Sequence, residues 1–113
     1  RRPFAESADG AVGLETLLAA ALRLYHSGEA NLSTLLKALT CNPAALLGLE
    51  AGRLSKGAPA DIILVDLEHP WVVNDERLIS RSKNSPFDGA RLQGRVLRTL
   101  VAGNTVYNYA DQR

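Results

Sequence analysis

The apolar residues of this chain repeat with a helical period in its first half and cluster in short β-branched runs in its second half. Residues 14–52 carry Leu and Ala at spacings of three and four, which is typical of amphipathic helices. Residues 61–109 carry Ile, Val and Thr in runs too short for helices. This order of helices first and strands second suits an α+β domain, or the seam between two domains, which we place near residues 50–54.

Two helices are predicted between residues 14 and 40. The first helix begins near Leu14 and ends at Ser27-Gly28, because glycine is the preferred residue just past a helix end. Asn31 is expected to cap the second helix by accepting a hydrogen bond from a first-turn amide. The apolar face of the first helix is predicted to contain Leu14, Leu17, Leu18, Ala21, Leu22 and Tyr25.

A third, shorter helix is predicted after Asn42-Pro43. Asn42 is its expected N-cap, and Pro43 is its expected first helical residue, because that position needs no amide donor. Residues 44–49 form the helix, and Gly52 closes the helical half of the chain.

The first predicted strand, residues 61–66, is short and apolar between two acidic residues, so it is expected to be buried on both faces. Residues 71–73 are predicted to form another short strand, and residues 74–93 are mostly loop. Residues 95–102 and 105–109 are predicted to form a hairpin. Its turn is expected at Gly103-Asn104, since both residue types tolerate positive φ.

The charge and cysteine content exclude several classes of partner. The net charge of +1 comes from 13 basic and 12 acidic residues, so neither a nucleic acid nor an anionic membrane is an expected partner. The single cysteine, Cys41, cannot form an internal disulfide, which favours a cytoplasmic location. The chain begins at Arg1 and contains no Met, which predicts an excised or processed piece of a longer protein.

No pair of residues has the spacing of a metal site. His26 and His69 lie in different halves of the chain, and neither has a second histidine at helical or His-x-His spacing. Both are expected to be surface or element-terminal histidines. Cys41 lies at the junction of two helices, which favours a structural thiol over a nucleophile.

Two further patterns permit two interpretations each. One interpretation of Asp61 and Asp66 is a pair of catalytic carboxylates, but they flank opposite ends of a strand, which favours capping and loop hydrogen bonds. The glycine-rich residues 10–13 lack the third glycine and the preceding strand of a dinucleotide loop. A glycine-rich backbone ahead of a helix can instead offer free amides to an anionic or carbonyl-bearing ligand.

Four segments, taken together and in order, resemble the end of a class I dihydroorotase. They comprise residues 3–16, 39–49, 52–66 and 82–103, which is nearly the whole chain. The third segment and the Gly-x-Val strand pattern also recur in hydantoinases and allantoinases. The motifs Gly13-Leu14-Glu15-Thr16 and Asn84-Ser85-Pro86-Phe87-Asp88-Gly89 narrow the resemblance to dihydroorotase.

The resemblance implies an α/β fold in which a (β/α)8 barrel carries a small β-sandwich built from both chain ends. Residues 1–50 would be the last active-site loop and outer helices of the barrel. Residues 51–113 would be the carboxyl-terminal share of the sandwich. The first part would thus lie beside an active site and the second part away from it.

The resemblance also implies a zinc-dependent hydrolase of pyrimidine biosynthesis, which interconverts N-carbamoyl-L-aspartate and L-dihydroorotate. The family's metal ligands and catalytic Asp fall outside this chain, so we expect no catalytic residue, no metal ligand and no cofactor within it. The backbone at Asp9 and Gly10 is expected to contact the dihydroorotate ring. Asp9 is commonly apolar or aromatic in relatives, which favours a backbone role over a side-chain role.

Two alternatives remain. One is the tail of an inactive dihydroorotase-like subunit that scaffolds aspartate carbamoyltransferase, and the other is part of another cyclic amidohydrolase such as allantoinase. Alone, the 113 residues are expected to show no hydrolase activity and marginal stability, because helix faces and strand edges would be exposed. We expect these surfaces to be covered by the remainder of the dihydroorotase chain or by homo-oligomerisation.

Overall fold

A computed structural model describes residues 10–112, which form three helices followed by an antiparallel three-stranded sheet. The sheet order is β1-β2-β3, and short 3-10 turns follow β1 and β3. The order of helices and then strands is therefore confirmed. No helix among these residues has both the length and the apolar character needed to cross a bilayer. The elements are α1 (Leu17–His26), α2 (Leu32–Leu39), α3 (Cys41–Leu46), β1 (Ile62–Val72), β2 (Arg91–Val101) and β3 (Asn104–Asn108).

Helix α1 begins three residues later than predicted and buries part of the predicted face. The hydroxyl of Thr16 donates to the Gly13 carbonyl in a turn that precedes the helix, and Leu14 therefore lies outside it and is 87% exposed. Leu22 is buried as predicted, together with Ala19, on the side that packs against β2, whereas Leu17 is 54% exposed. The predicted end is confirmed, since Gly28 follows the helix with a φ of 79°.

Helix α2 has the predicted cap, whereas the predicted cap of α3 is wrong. The Asn31 side chain accepts from the Thr34 amide at 2.8 Å. Helix α3, however, begins at Cys41, so its N-cap is Thr40 and Asn42 lies inside the first turn. Pro43 still fits there, because first-turn amides have no partner within the helix and a missing donor costs nothing.

Helix α3 ends at Leu46, three residues before the predicted end. The Gly48 amide donates to the Ala45 carbonyl at 3.2 Å, and the Leu49 amide donates to the Ala44 carbonyl at 2.8 Å. This pair of bonds is the Schellman arrangement, and it needs the positive φ of 71° that Gly48 adopts. Glycine therefore stops the helix before its apolar residues run out.

Strand β1 is longer than predicted, and its predicted burial on both faces is wrong. Ile63 is 45% exposed and Leu64 is 51% exposed, because β1 is an edge strand and α1 packs mainly against β2. The predicted strand at residues 71–73 is largely part of β1 as well. A register irregularity between Asp66 and Pro70 lets the strand continue. Proline has no amide donor, and an edge strand tolerates this because one of its sides has no partner strand.

The predicted hairpin between β2 and β3 is confirmed, but its turn lies one residue earlier than predicted. Ala102 and Gly103 adopt φ values of 50° and 79°, as a two-residue turn with positive φ at both positions requires. The Ala102 amide donates to Asp61 Oδ1 at 2.8 Å, and the Gly103 amide donates to the Ala60 carbonyl at 3.0 Å. These bonds to the start of β1 hold an alanine in a conformation that asparagine would adopt more readily.

The helix and the sheet approach closely at Gly94 of β2. Leu22 of α1 is 1% exposed, and a Cβ placed on Gly94 would lie only 2.4 Å from its Cδ1 atom. Ala19, Val73 and Leu92 form a buried cluster, which Trp71 and Phe87 partly cover. The core therefore lies between one face of the sheet and α1.

Several large apolar side chains outside this core are mostly exposed. They belong to the turn before α1, to the segment from α3 to β1, and to the loop after β1. Exposed apolar side chains, where they form a patch, are typical of surfaces that pack against further protein. The most exposed are Leu14, Leu46, Leu47, Leu54 and Ile79.

Candidate functional site

Residues 10–13 form an open backbone segment ahead of α1. Gly10, Ala11 and Gly13 are exposed, and a Cβ placed on either glycine would meet no atom within 4 Å. The backbone of this segment, which we call the glycine loop, is therefore open to a ligand. Gly10 lies in it as predicted, whereas Asp9 lies outside the described residues.

Asn84 holds the glycine loop at two points. Its side-chain amide donates to the Gly10 carbonyl, and its own backbone carbonyl accepts from the Val12 amide at 2.8 Å. A single residue, 74 positions away from Gly10, thus fixes the peptide units on both sides of Ala11. Sequence reasoning did not assign this role, although Asn84 belongs to one of the two specific motifs.

Glu15 makes a second contact between the chain before α1 and the residues that precede Asn84. Its two carboxylate oxygens accept hydrogen bonds from the Ile79 and Ser80 amides, each at 3.1 Å. A carboxylate that accepts two backbone donors is a strong anchor for an otherwise irregular segment. The motif at residues 13–16 therefore contacts the chain that leads into the motif at residues 84–89.

Local hydrogen bonds shape residues 78–89, which we call the clamp segment. The Lys83 ammonium donates to the Leu78 carbonyl, and the Ser85 hydroxyl accepts from the Phe87 amide at 3.1 Å. Asp88 Oδ1 accepts from the Asp75 amide at 3.0 Å. The clamp segment thus has a defined conformation despite lying in the predicted loop.

The two histidines and the cysteine lie apart and have structural surroundings. His26 Nε2 lies 3.3 Å from the Gln93 carbonyl oxygen, and the His69 ring meets Tyr109 edge-on at 5.4 Å. The Cys41 sulfur lies 4.0 Å from the Lys37 carbonyl oxygen. Residues 10–112 contain no group of three or more His, Cys, Asp or Glu side chains placed to hold a metal.

Asp61 lies just before β1 and Asp66 lies within it, and both make the loop hydrogen bonds that were favoured over catalytic pairing. Asp61 accepts from the Ala102 amide, and Asp66 Oδ1 accepts from the Glu68 amide at 3.0 Å. Each carboxylate therefore stabilises a turn or an irregularity of the sheet. The favoured interpretation of Asp61 and Asp66 is confirmed.

A groove of about 930 Å³ lies between the start of α1 and the sheet. Arg95 lies in it, with its guanidinium carbon 4.9 Å from the Trp71 ring centroid and 4.2 Å from that of Tyr109. Aromatic faces stabilise a cation in this arrangement. Sequence reasoning missed this groove, because its lining residues come from four separated stretches of chain.

The comparisons with known proteins agree with the resemblance. Residues 6–106 match the Amidohydrolase family. The chain is 47% identical to the dihydroorotase of Wolbachia sp. subsp. Drosophila simulans (strain wRi) over 94% of its own length. It is likewise 47% identical over 94% to the dihydroorotase of Anaplasma phagocytophilum (strain HZ). It spans about a quarter of the length of these relatives, 24% in each case.

Solved structures agree on the fold. L-hydantoinase (dihydropyrimidinase) from Arthrobacter aurescens superposes with a TM-score of 0.85 at 33% identity, covering 90% of this chain and 23% of that chain. A D-hydantoinase superposes with a TM-score of 0.82 at 22% identity, covering 89% of this chain and 22% of that chain, which supports the fold alone. The chain belongs to the amidohydrolase family.

Proposed function

We propose that this chain is part of a dihydroorotase, in which it supplies a substrate-contacting loop. The enzyme would interconvert N-carbamoyl-L-aspartate and L-dihydroorotate in pyrimidine biosynthesis, in the cytoplasm. The observation that carries the proposal is the contact between Glu15 and the clamp segment. It brings the two dihydroorotase-like motifs together around the glycine loop, in a chain that is 47% identical to proteins with that name.

The proposal includes the architecture of the whole enzyme. Residues 1–50 would be the end of a (β/α)8 barrel. Residues 51–113 would be the carboxyl-terminal part of a β-sandwich that is built from both ends of the full-length chain. The exposed apolar side chains around α3 and in the clamp segment would then pack against the remainder of the chain or a second copy of it.

Zinc in such an enzyme would supply an activated water and polarise the amide carbonyl. The described residues do not fit it, because residues 10–112 place no three metal-binding side chains together. As the resemblance to dihydroorotases implies, we assign the metal ligands and the catalytic carboxylate to parts of the enzyme outside this chain. The share of residues 10–112 in the reaction is to bind and orient the substrate.

Binding would use the backbone of the glycine loop. Free amides are good donors to the carbonyl and carboxylate oxygens of dihydroorotate. Gly10 has no side chain, so a ring can approach its backbone closely. The two hydrogen bonds that Asn84 makes with Gly10 and Val12, and the turn at Thr16, would keep the amides in place before the substrate arrives.

Replacing Gly10 with alanine tests the backbone role. The added methyl group would meet no atom of the described residues within 4 Å, so the free energy of unfolding should change by less than about 0.5 kcal/mol. In the full-length enzyme the methyl group should obstruct the ring and raise KM for dihydroorotate about tenfold. Steady-state kinetics and urea unfolding measure the two effects. An unchanged KM would remove Gly10 from the site.

A second candidate function is hydantoin hydrolysis, which the TM-score of 0.85 to L-hydantoinase favours. Ring-opening assays of the full-length protein with dihydroorotate, a 5-substituted hydantoin and allantoin separate the candidates. We expect kcat/KM for dihydroorotate to exceed the others by about 100-fold. A preference for either other ring would overturn the proposal. Turnover of none of them, together with co-purification of aspartate carbamoyltransferase, would identify the inactive scaffolding subunit instead.

A further inference from the structure

We propose that Asn84 is a positioning residue, which holds the backbone of the glycine loop in the conformation that receives the cyclic amide. Its own position is outside the loop, and its effect on the substrate would be exerted entirely through Gly10 and Val12. The identity of the ligand rests on the proposed function. The role of Asn84 in holding the glycine loop does not depend on the proposed function, and it can be measured separately.

The first argument is the pattern of hydrogen bonds. The Asn84 side chain donates to the carbonyl of Gly10, and the Asn84 carbonyl accepts from the amide of Val12. The intervening residue, Ala11, is exposed. The peptide units that would face a ligand are thus held from one side by protein and left open on the other.

The second argument is that further hydrogen bonds fix the position of Asn84. The chain runs from Gly10 to Glu15 while the clamp segment runs back from Asn84 to Ile79, and hydrogen bonds join the two at both ends. The Ser85 amide donates to the Lys83 carbonyl at 3.0 Å, which adds a tight turn at Asn84. Two irregular segments therefore form a closed ring of contacts, which neither would maintain alone.

The third argument is chemical. The group that faces the Gly10 carbonyl must be a donor, and the asparagine side-chain amide is one. Aspartate has nearly the same shape, but its ionised carboxylate accepts only and would repel the carbonyl oxygen. Asn84→Asp thus removes the donor with little change of volume, which makes it the most informative substitution.

The experiment compares three forms of the full-length protein: wild type, Asn84→Asp and Asn31→Asp. Asn31 caps α2 as an acceptor, so the control introduces the same charge and keeps its hydrogen bond. The readouts are amide hydrogen exchange of residues 10–13 and steady-state kinetics with dihydroorotate. For Asn84→Asp we expect at least tenfold faster exchange at Val12, a KM raised about tenfold and a kcat within about threefold of wild type. The control should match wild type in both readouts.

A conservative variant separates positioning from general destabilisation. Asn84→Gln restores a side-chain amide donor, so its exchange and KM should return most of the way towards wild type. Unchanged exchange in Asn84→Asp would overturn the proposal, and so would faster exchange with an unchanged KM. An equal loss of kcat and kcat/KM would also overturn it, because a positioning residue for ground-state binding changes mainly KM. If wild type opens no dihydroorotate ring, the proposed function fails, while the exchange of Val12 still decides whether Asn84 holds the loop.

Discussion

Replacing Gly52 with alanine is expected to lower the free energy of unfolding by about 2–5 kcal/mol. Gly52 has a φ of 78°, and a Cβ there would lie 2.7 Å from the Thr40 carbonyl carbon, 2.8 Å from its oxygen and 2.9 Å from the Cys41 nitrogen. These are backbone atoms at the junction of α2 and α3, so they cannot rotate away as a side chain can. Urea-induced unfolding of the protein that contains this chain measures the effect.

Gly57 provides the matched control for Gly52. Its φ of 84° is equally unfavourable for alanine, but a Cβ there would meet nothing within 4 Å. Gly57→Ala should therefore cost only about 1–2 kcal/mol, the cost of the left-handed conformation. Equal effects at the two positions would mean that α2 and α3 do not approach Gly52 as closely as described.

Gly94→Ala is the second substitution with a large expected effect, about 2–4 kcal/mol of lost stability. Its φ is 115°, and the new methyl group would overlap the buried side chain of Leu22, whose Cδ1 lies 2.4 Å away. Leu22→Ala alone should cost about 2–5 kcal/mol through the cavity that it leaves. The unfolding free energies of both variants are measured by chemical denaturation.

The double variant of Leu22 and Gly94 tests whether these costs have one origin. With the leucine shortened, the alanine at position 94 would enter space that Leu22 had filled, so the double variant should be about 1–2 kcal/mol more stable than additivity predicts. Additive effects within about 0.5 kcal/mol would show that α1 does not pack against β2 at this point.

Elements with local signals could be predicted from the sequence. The Asn31 cap, the end of α1 at Gly28 and the β2–β3 hairpin each depend on residues within a few positions of one another. The start of α3 could not be fixed in this way, because no side chain caps it. The Thr40 hydroxyl donates back to the Leu36 carbonyl of α2 and makes no capping hydrogen bond to α3.

Features that depend on the place of an element in the whole molecule could not be predicted. The apolar run in β1 looks like a central strand, but its exposure follows from an edge position that no local pattern records. For the candidate site, the resemblance indicated the backbone at Gly10, and its motifs contained both Glu15 and Asn84. That these two residues hold the loop and the clamp segment together was not visible, because neither residue has a partner near it in sequence.

The separation between those partners has a consequence for the order of events during synthesis. The amides that donate to Glu15 belong to residues 64 and 65 positions later in the sequence. The side chain that donates to Gly10 belongs to Asn84, 74 positions later. At about 5–20 residues per second, a ribosome needs roughly 4–15 s to add the missing partners. During that interval α1 and α2 can form from local contacts, while the glycine loop has nothing to hold it. The ligand-facing backbone is therefore expected to acquire its final conformation only after most of this chain has left the ribosome.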